Sequence, residues 1–200
     1  MTRLLLIRHG DTDVAGRVLT GRSPGVHLNE RGRRQAAELD RRLVAVAIDA
    51  VWASPLERAR ETATPVADAR GLAVETVAEL QEVAQGDWQG RSVQDLAPVN
   101  AWQHYNAFRS LYGIPGGESL AEVQLRMLRV LQRAWAEFPD GCVAAVSHGD
   151  PIRGLLVHLL GMPLDLAARL EVSPASVSIV HWAGEAPLVV CSNCTGDCPL

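Results

Sequence analysis

Two histidines occupy the same local setting. His9 closes "LLLIRHG" and His148 closes "VAAVSHG", each at the end of an apolar run and each followed by a glycine. Apolar runs of this length read as buried strands. If the two strands lie parallel in one sheet, both imidazoles emerge at its carboxyl edge, where open α/β sheets keep their ligand crevices. Gly10 and Gly149 would let the backbone approach a ligand closely. Arg8, beside the first histidine, argues for an anionic guest. Arg58 lies in the first turns of the helix after the strand "VWAS", again at a carboxyl end. Alone, a strand-end histidine is satisfied by local hydrogen bonds, and Arg58 is a surface arginine beside Arg60 and Glu61. Together, two guanidiniums can grip a phosphate bidentately. Helix amino ends at Ser54 and Asp150 would add favourable dipoles. His27, His104, His158 and His181 stand at no metal-like spacing from His9, and His158, within an apolar helix, is expected in the core. Two arginines and two histidines make a phosphoryl pocket, for which neither metal nor cofactor is expected.

Alternating elements must position these groups. A strand near 3–7 leads into a glycine-rich loop. "LNERGRRQAAELDRRLVAVA" predicts a helix capped by Asn29, with Ala36, Leu39, Leu43 and Val46 on one face. "DAVWAS" is a short strand. In "SPLERARETATPVADARG", Ser54 is expected to cap a helix, with Pro55 in its first turn and Glu57 completing a capping box. Pro65 should kink or end that helix, and Gly71 stop it. "LAVETV" and "LQEV" read as strands. Residues 86–117 are expected to form a small helical cap, in which Trp88, Trp102, Tyr105 and Phe108 either line the substrate site or only pack the cap down. "ESLAEVQLRMLRVLQRAWAEF" is an amphipathic helix burying Leu120, Val123, Met127, Val130 and Leu131. A strand, a tight turn at Ser147-His148-Gly149 and a helix ended by Gly161 follow. "ASVSIVHWA" and "APLVVCS" close the chain as a hairpin. The expected fold is α/β, a three-layer α/β/α sandwich with a mostly parallel central sheet, forming one domain over 1–200.

Bulk properties agree. The 200 residues carry a net charge of −4, with 48% hydrophobic residues, enough for a core. Basic residues are interleaved with acids, as at "RGRR" before Glu38 and Asp40, so no nucleic-acid partner is expected. No stretch approaches the roughly 20 apolar residues of a membrane span, and no signal-peptide layout opens the chain. A cytoplasmic protein, monomeric or homodimeric, is expected. The cysteines are Cys142, Cys191, Cys194 and Cys198. The last three, in "CSNCTGDCPL", read either as three corners of a structural zinc site completed by Cys142 or His181, or as a loose tail of reduced thiols over 191–200.

With these motifs in view, the chain resembles the histidine phosphatase superfamily, the phosphoglycerate-mutase-like group, and within it the broad-specificity and alpha-ribazole phosphatases. "LIRHGDT", "LTGRSPGVHLNERGRRQA", "ASPLERARETA", "LQEVAQGDWQG", "IPGGES" and "VSHGDPIRGLLVHLLGMPLD" follow the family's order up to about Val190. RHG alone says little. RHG, then S-P-L-x-R-A-x-x-T-A, then E-V-x-x-G-x-W-x-G, then SHG is specific. The resemblance implies that His9 is the nucleophile and carries a phosphohistidine. It implies that Arg8, Arg58, His148, Thr12 and the Gly149 backbone hold the phosphoryl group. It also selects Glu82 as proton donor and then base, a choice that composition leaves open among Glu75, Glu79 and Glu82. The implied activity is a metal-independent phosphomonoesterase acting on a small phosphorylated metabolite. A phosphoglycerate mutase, an alpha-ribazole phosphatase, a phosphohistidine protein phosphatase and a non-catalytic phospho-ligand binder are the alternatives. Mutases of the group commonly carry Asn where this chain has Ala15, and the stretch from Glu82 to "PGGES" is short for the mutase insertion. Both favour a phosphatase.

Overall fold

Side chains along β1 (Thr2–Arg8) alternate between two buried faces. Leu5 and Ile7 join one hydrophobic cluster, Leu4 and Leu6 another, and each is fully buried. This is the period of two that a strand imposes. Full burial of each such side chain contributes roughly 1.5–3 kcal/mol, so β1 ties the two sides of the molecule together.

The computed structural model describes residues 1–196. After β1 come α1 (Glu30–Arg42), β2 (Ala50–Ala53), α2 (Glu57–Asp68), β3 (Val74–Thr76), α3 (Val93–Leu96) and α4 (Asn100–Ala107). The series ends with α5 (Leu120–Glu137), β4 (Cys142–Ser147), α6 (Gly149–Leu159), β5 (Val177–Ala183) and β6 (Ala186–Cys194). The strands form one sheet in the order β3-β2-β4-β1-β5-β6. β1 to β4 run parallel, and β5 pairs antiparallel with β1 and with β6. Helices α1 and α2 bury Leu39, Ala59, Ala63 and Val66 against one face. Helices α5 and α6 bury Met127, Val130, Leu131, Ile152 and Leu155 against the other. The molecule is therefore a three-layer α/β/α arrangement around a mostly parallel sheet. No helix among the described residues is long and apolar enough to cross a membrane.

Local signals explain most boundaries. Asn29 caps α1, its side chain accepting from the Gly32 N–H at 2.8 Å. Ser119 and Glu122 form a reciprocal capping box on α5. α1 is shorter than its apolar pattern predicts: it ends at Arg42, although Leu43 and Val46 still enter the same core through a turn. The expected capping box on α2 does not form. That helix begins at Glu57 with Leu56 before it and no side-chain cap, so Ser54 lies two residues ahead of the cap position. Pro65 lies in its last turn.

"LQEV" is not a strand. Ala78–Leu80 make a 3-10 turn, and the carbonyls that a ladder would use accept from side chains instead. Ser147 Oγ donates to the Leu80 carbonyl at 2.7 Å, and Arg126 donates to those of Glu79 and Gln81. His158 is a second correction, since α6 turns it outward to an exposed position. Within 86–117, Trp88, Leu96, Tyr105 and Ile114 form a third cluster with Leu120, Val123 and Val157. Trp88 meets Trp102 and Tyr105 edge-on, at centroid separations of 5.4 and 5.6 Å.

Candidate active site

Parallel pairing of β1 with β4 sets Arg8 opposite Ser147. The next residues, His9 and His148, leave the same edge of the sheet, and their rings stand 5.0 Å apart at 61°. The His9 N–H donates to the Ser147 carbonyl at 3.0 Å, which fixes the two exits to each other. A cavity of about 180 Å³ opens there, lined by Arg8, His9, Thr12, Arg58, Glu82 and Gly149, among others. The candidate catalytic and phosphate-holding residues other than His148 thus line one cavity, and the buried His148 ring stands beside that of His9.

The two imidazoles are oriented by their neighbours. His9 Nδ1 lies 2.7 Å from the Gly10 carbonyl. A carbonyl only accepts, so Nδ1 carries the proton and Nε2 keeps its lone pair. His148 Nε2 lies 2.8 Å from Ser54 Oγ, and that oxygen also accepts, at 3.4 Å, from the Leu56 N–H. Ser54 Oγ has no other acceptor in reach among the described residues, so its proton goes to Nε2, leaving Nδ1 of His148 as the donor. That Nδ1 is buried, 4.0 Å from Glu82 Oε2, and makes no hydrogen bond among the described residues.

The arginines repeat the pattern of one committed and one uncommitted donor. Arg8 Nη1 donates to the Val172 carbonyl at 2.6 Å and Arg58 Nη2 to the Gly21 carbonyl at 2.8 Å. Arg8 Nε and Arg58 Nη1 are buried without a partner among the described residues. Leaving a buried donor unmade costs about 1–3 kcal/mol, more when charged. Three such donors beside one cavity are a preformed demand for acceptor oxygens.

Electrostatics follow from this crowding. Burial first, then the Arg58 charge, pushes the His9 pKa down to about 3. Burial likewise holds His148 well below its ordinary value, helped by His9 and Arg58. Both rings are neutral near pH 7. Glu82 moves the other way: burial and the nearby Asp150 charge raise it, against the opposing Val83 N–H, Arg58 and Arg8. Burial disfavours ionisation of Asp150 too, but Arg109 and Arg153 outweigh it and keep that carboxyl below the usual range. Asp150 contacts each of them at 3.2 Å.

Some residues that hold the site were assigned no part in it from sequence, although Ser54 and Thr62 fall within the S-P-L-x-R-A-x-x-T-A motif. Ser54 resembles a helix cap yet fixes His148. Thr62, in "RETA", accepts from the Gly10 N–H at 3.0 Å and donates to the Arg58 carbonyl at 2.7 Å. Gly10 is small for α1 rather than for a ligand: a Cβ there would stand 2.7 Å from the Gly32 carbonyl. Gly149 does face the site, its missing Cβ 3.8 Å from Arg8 Cζ. Trp88, Trp102, Tyr105 and Phe108 do not line the cavity; Ala15, Gly16, Val18, Leu19 and Gln85 do. Among the described residues no group of three or more His, Cys, Asp or Glu is placed to hold a metal. Cys142 is buried, Cys191 and Cys194 are half-buried, and Cys198 lies outside the described residues.

The family profile described as "Histidine phosphatase superfamily (branch 1)" matches residues 4–195. The probable phosphoglycerate mutase GpmB of Yersinia enterocolitica is 34% identical over 186 residues, 91% of this chain and 86% of that protein. Phosphoserine phosphatase 1 of Hydrogenobacter thermophilus is 29% identical over 204 residues, 98% of this chain and 93% of that one. The solved structure of Bacillus stearothermophilus YhfR superposes with a TM-score of 0.91 at 29% identity, covering 97% of this chain and 98% of that one.

Proposed function

The chain belongs to branch 1 of the histidine phosphatase superfamily, and on that premise we propose that it is a metal-independent phosphomonoesterase acting on small phosphorylated metabolites through phospho-His9. The observation that carries this reading is the trio of uncommitted buried donors, Arg8 Nε, Arg58 Nη1 and His148 Nδ1, beside a neutral His9. They suit the three oxygens of a phosphoryl group and the charge that spreads over them during transfer.

The chemistry runs in two balanced steps. The Nε2 lone pair of His9 forms a bond to phosphorus as the ester P–O bond breaks. The Glu82 carboxyl gives its proton to the departing alkoxide. Water then attacks the phosphohistidine, handing a proton to the Glu82 carboxylate, and the P–N bond breaks to release phosphate and neutral His9. Covalent capture divides one hard displacement into two easier ones. A raised Glu82 pKa keeps the acid loaded near neutral pH.

The likeness to a probable phosphoglycerate mutase supports a second reading, in which the phosphoryl group returns to a hydroxyl. Ala15, a methyl in the cavity wall where such mutases commonly carry Asn, favours water as the acceptor. The alpha-ribazole alternative differs only in its leaving alcohol and is separated by the same assay, whereas a phosphohistidine-protein phosphatase breaks a P–N bond and is separated by adding a phosphohistidine-bearing protein to the assay. A panel of phosphate esters, including 3-phosphoglycerate and an alpha-ribazole phosphate, is incubated with the protein, and released phosphate, the 2-isomer and acid-labile protein label are measured. Phosphate release with label lost in His9→Ala is expected. Isomer formation without phosphate release would establish the mutase instead, and binding without turnover a phospho-ligand receptor.

A further inference from the structure

The segment "IPGGES" has no part in the steps above, yet its glutamate joins two arginines in one ion network. Glu118 Oε2 accepts from Arg22 Nη2 at 2.7 Å, the Ala84 N–H at 3.0 Å and Arg126 Nη2 at 3.1 Å, while Oε1 accepts from Arg126 Nε at 3.2 Å. The two guanidiniums reach past it to one short stretch of backbone. Arg126 donates to the carbonyls of Glu79 (2.5 Å), Gln81 (2.7 Å) and Glu82 (3.2 Å), and Arg22 Nε donates to that of Glu82 at 2.9 Å.

We propose that Arg126 and Glu118, with Arg22, are positioning residues that act through Glu82, clamping the backbone on both sides of it so that its carboxyl meets the leaving oxygen. The loop needs such a clamp. It belongs to no strand, and its carbonyls have these side chains in place of ladder partners. Beyond Glu82, the fully buried Val83 anchors one face. The Val83 N–H holds Glu82 Oε1 at 2.8 Å, so displacement of this backbone moves the carboxyl with it. The Glu118 N–H donates to the Ala84 carbonyl at 2.9 Å. Gly117 permits that approach, since a Cβ there would fall 2.2 Å from the Ala84 oxygen. Arg126 supplies a planar fork with several donors, which a lysine cannot reproduce at equal charge. General acid catalysis tolerates little error in the heavy-atom distance to the proton acceptor.

The inference rests on Glu82 being the general acid, and the test separates the two. The kcat/KM, which reports the first transfer, is measured on glycerol phosphate and on p-nitrophenyl phosphate. The nitrophenolate departs with little help from a proton. Arg126→Lys and Glu118→Gln are expected to lower the alkyl value about tenfold or more, with a loss of under about threefold on the aryl ester, as partial removal of an acid contribution of about 10²–10⁴. Glu82→Gln should give a larger version of the same change, and Arg126→Lys in that background should leave the alkyl-to-aryl ratio where it is. Should Arg126→Lys fail to fold, Arg22→Gln, on the more exposed arm of the clamp, is expected to shift the ratio in the same direction. Equal losses on both esters in the clamp variants, with the alkyl-to-aryl ratio still lowered in Glu82→Gln, would overturn the clamp and leave the acid standing. An unchanged ratio in Glu82→Gln would remove both.

Discussion

Ser54 holds His148 through a 2.8 Å hydrogen bond between Oγ and Nε2, which leaves Nδ1 of the ring as a donor 4.0 Å from Glu82 Oε2. The bond spans from the end of β2 to the end of β4, neighbouring strands in the sheet. Ser54→Ala is expected to lower kcat/KM about tenfold, in line with one buried hydrogen bond of about 1–1.5 kcal/mol plus a ring free to change tautomer. Steady-state kinetics beside a thermal melt check this. An undiminished kcat/KM would show that the serine does not set the ring.

The pH profile should lie to the acid side of an ordinary histidine enzyme. His9, pushed down to about 3, remains a neutral nucleophile far below the reference histidine value of about 6.5. The basic limb should instead follow loss of the Glu82 proton, above the usual carboxyl range. Asp150→Asn removes a charge that raises Glu82, while Arg8, Arg58, Arg109 and Arg153 remain, so that limb moves to lower pH. After allowance for ionisation of the ester, an acid limb near 6.5 in kcat/KM would contradict the buried-histidine account.

The same depression has a cost in stability. Between about 3 and about 6.5, the unfolded chain binds protons at His9 that the native state refuses. That contribution is neutral above pH 6.5 and increasingly unfavourable as pH falls towards the native value. Denaturant titrations of wild type and His9→Gln should therefore converge near pH 7 and diverge in acid, with the variant losing less stability. Parallel curves would exclude the linkage.

Gly32→Ala should destabilise the fold by about 1–3 kcal/mol, the usual cost of overpacking. Its Cβ would stand 2.2 Å from the Asp11 carbonyl oxygen, a backbone atom held in turn by the Asn29 N–H at 3.1 Å. Because Asp11 follows the His9-Gly10 exit, activity should fall as well. A melting temperature within a degree of wild type would mean that the contact relaxes freely.

Phosphate release from p-nitrophenyl phosphate should proceed at the same rate after dialysis against a chelator, because protein N–H donors supply the charge stabilisation in the proposed steps. Inhibition by chelator, reversed by added metal, would call for a different chemistry.

The sequence by itself determined most of the elements and their order, because strand burial and much of helix capping are written in neighbouring residues. Apolar runs ending in Arg8-His9 and Ser147-His148, with Asn29 as a cap, are short-range patterns that survive folding unchanged. Resemblance to a family added the choice of Glu82 over Glu75 and Glu79. Tertiary structure decided what depends on pairing across long stretches of chain. Ser54 left its expected capping role for His148, the "LQEV" carbonyls went to Arg126, and Gly10 made room for α1. Likewise the aromatics of 86–117 packed a separate core while Ala15 to Leu19 lined the cavity. Each outcome is a competition for one donor, acceptor or volume between partners distant in sequence, and local pattern holds no information about which partner will arrive.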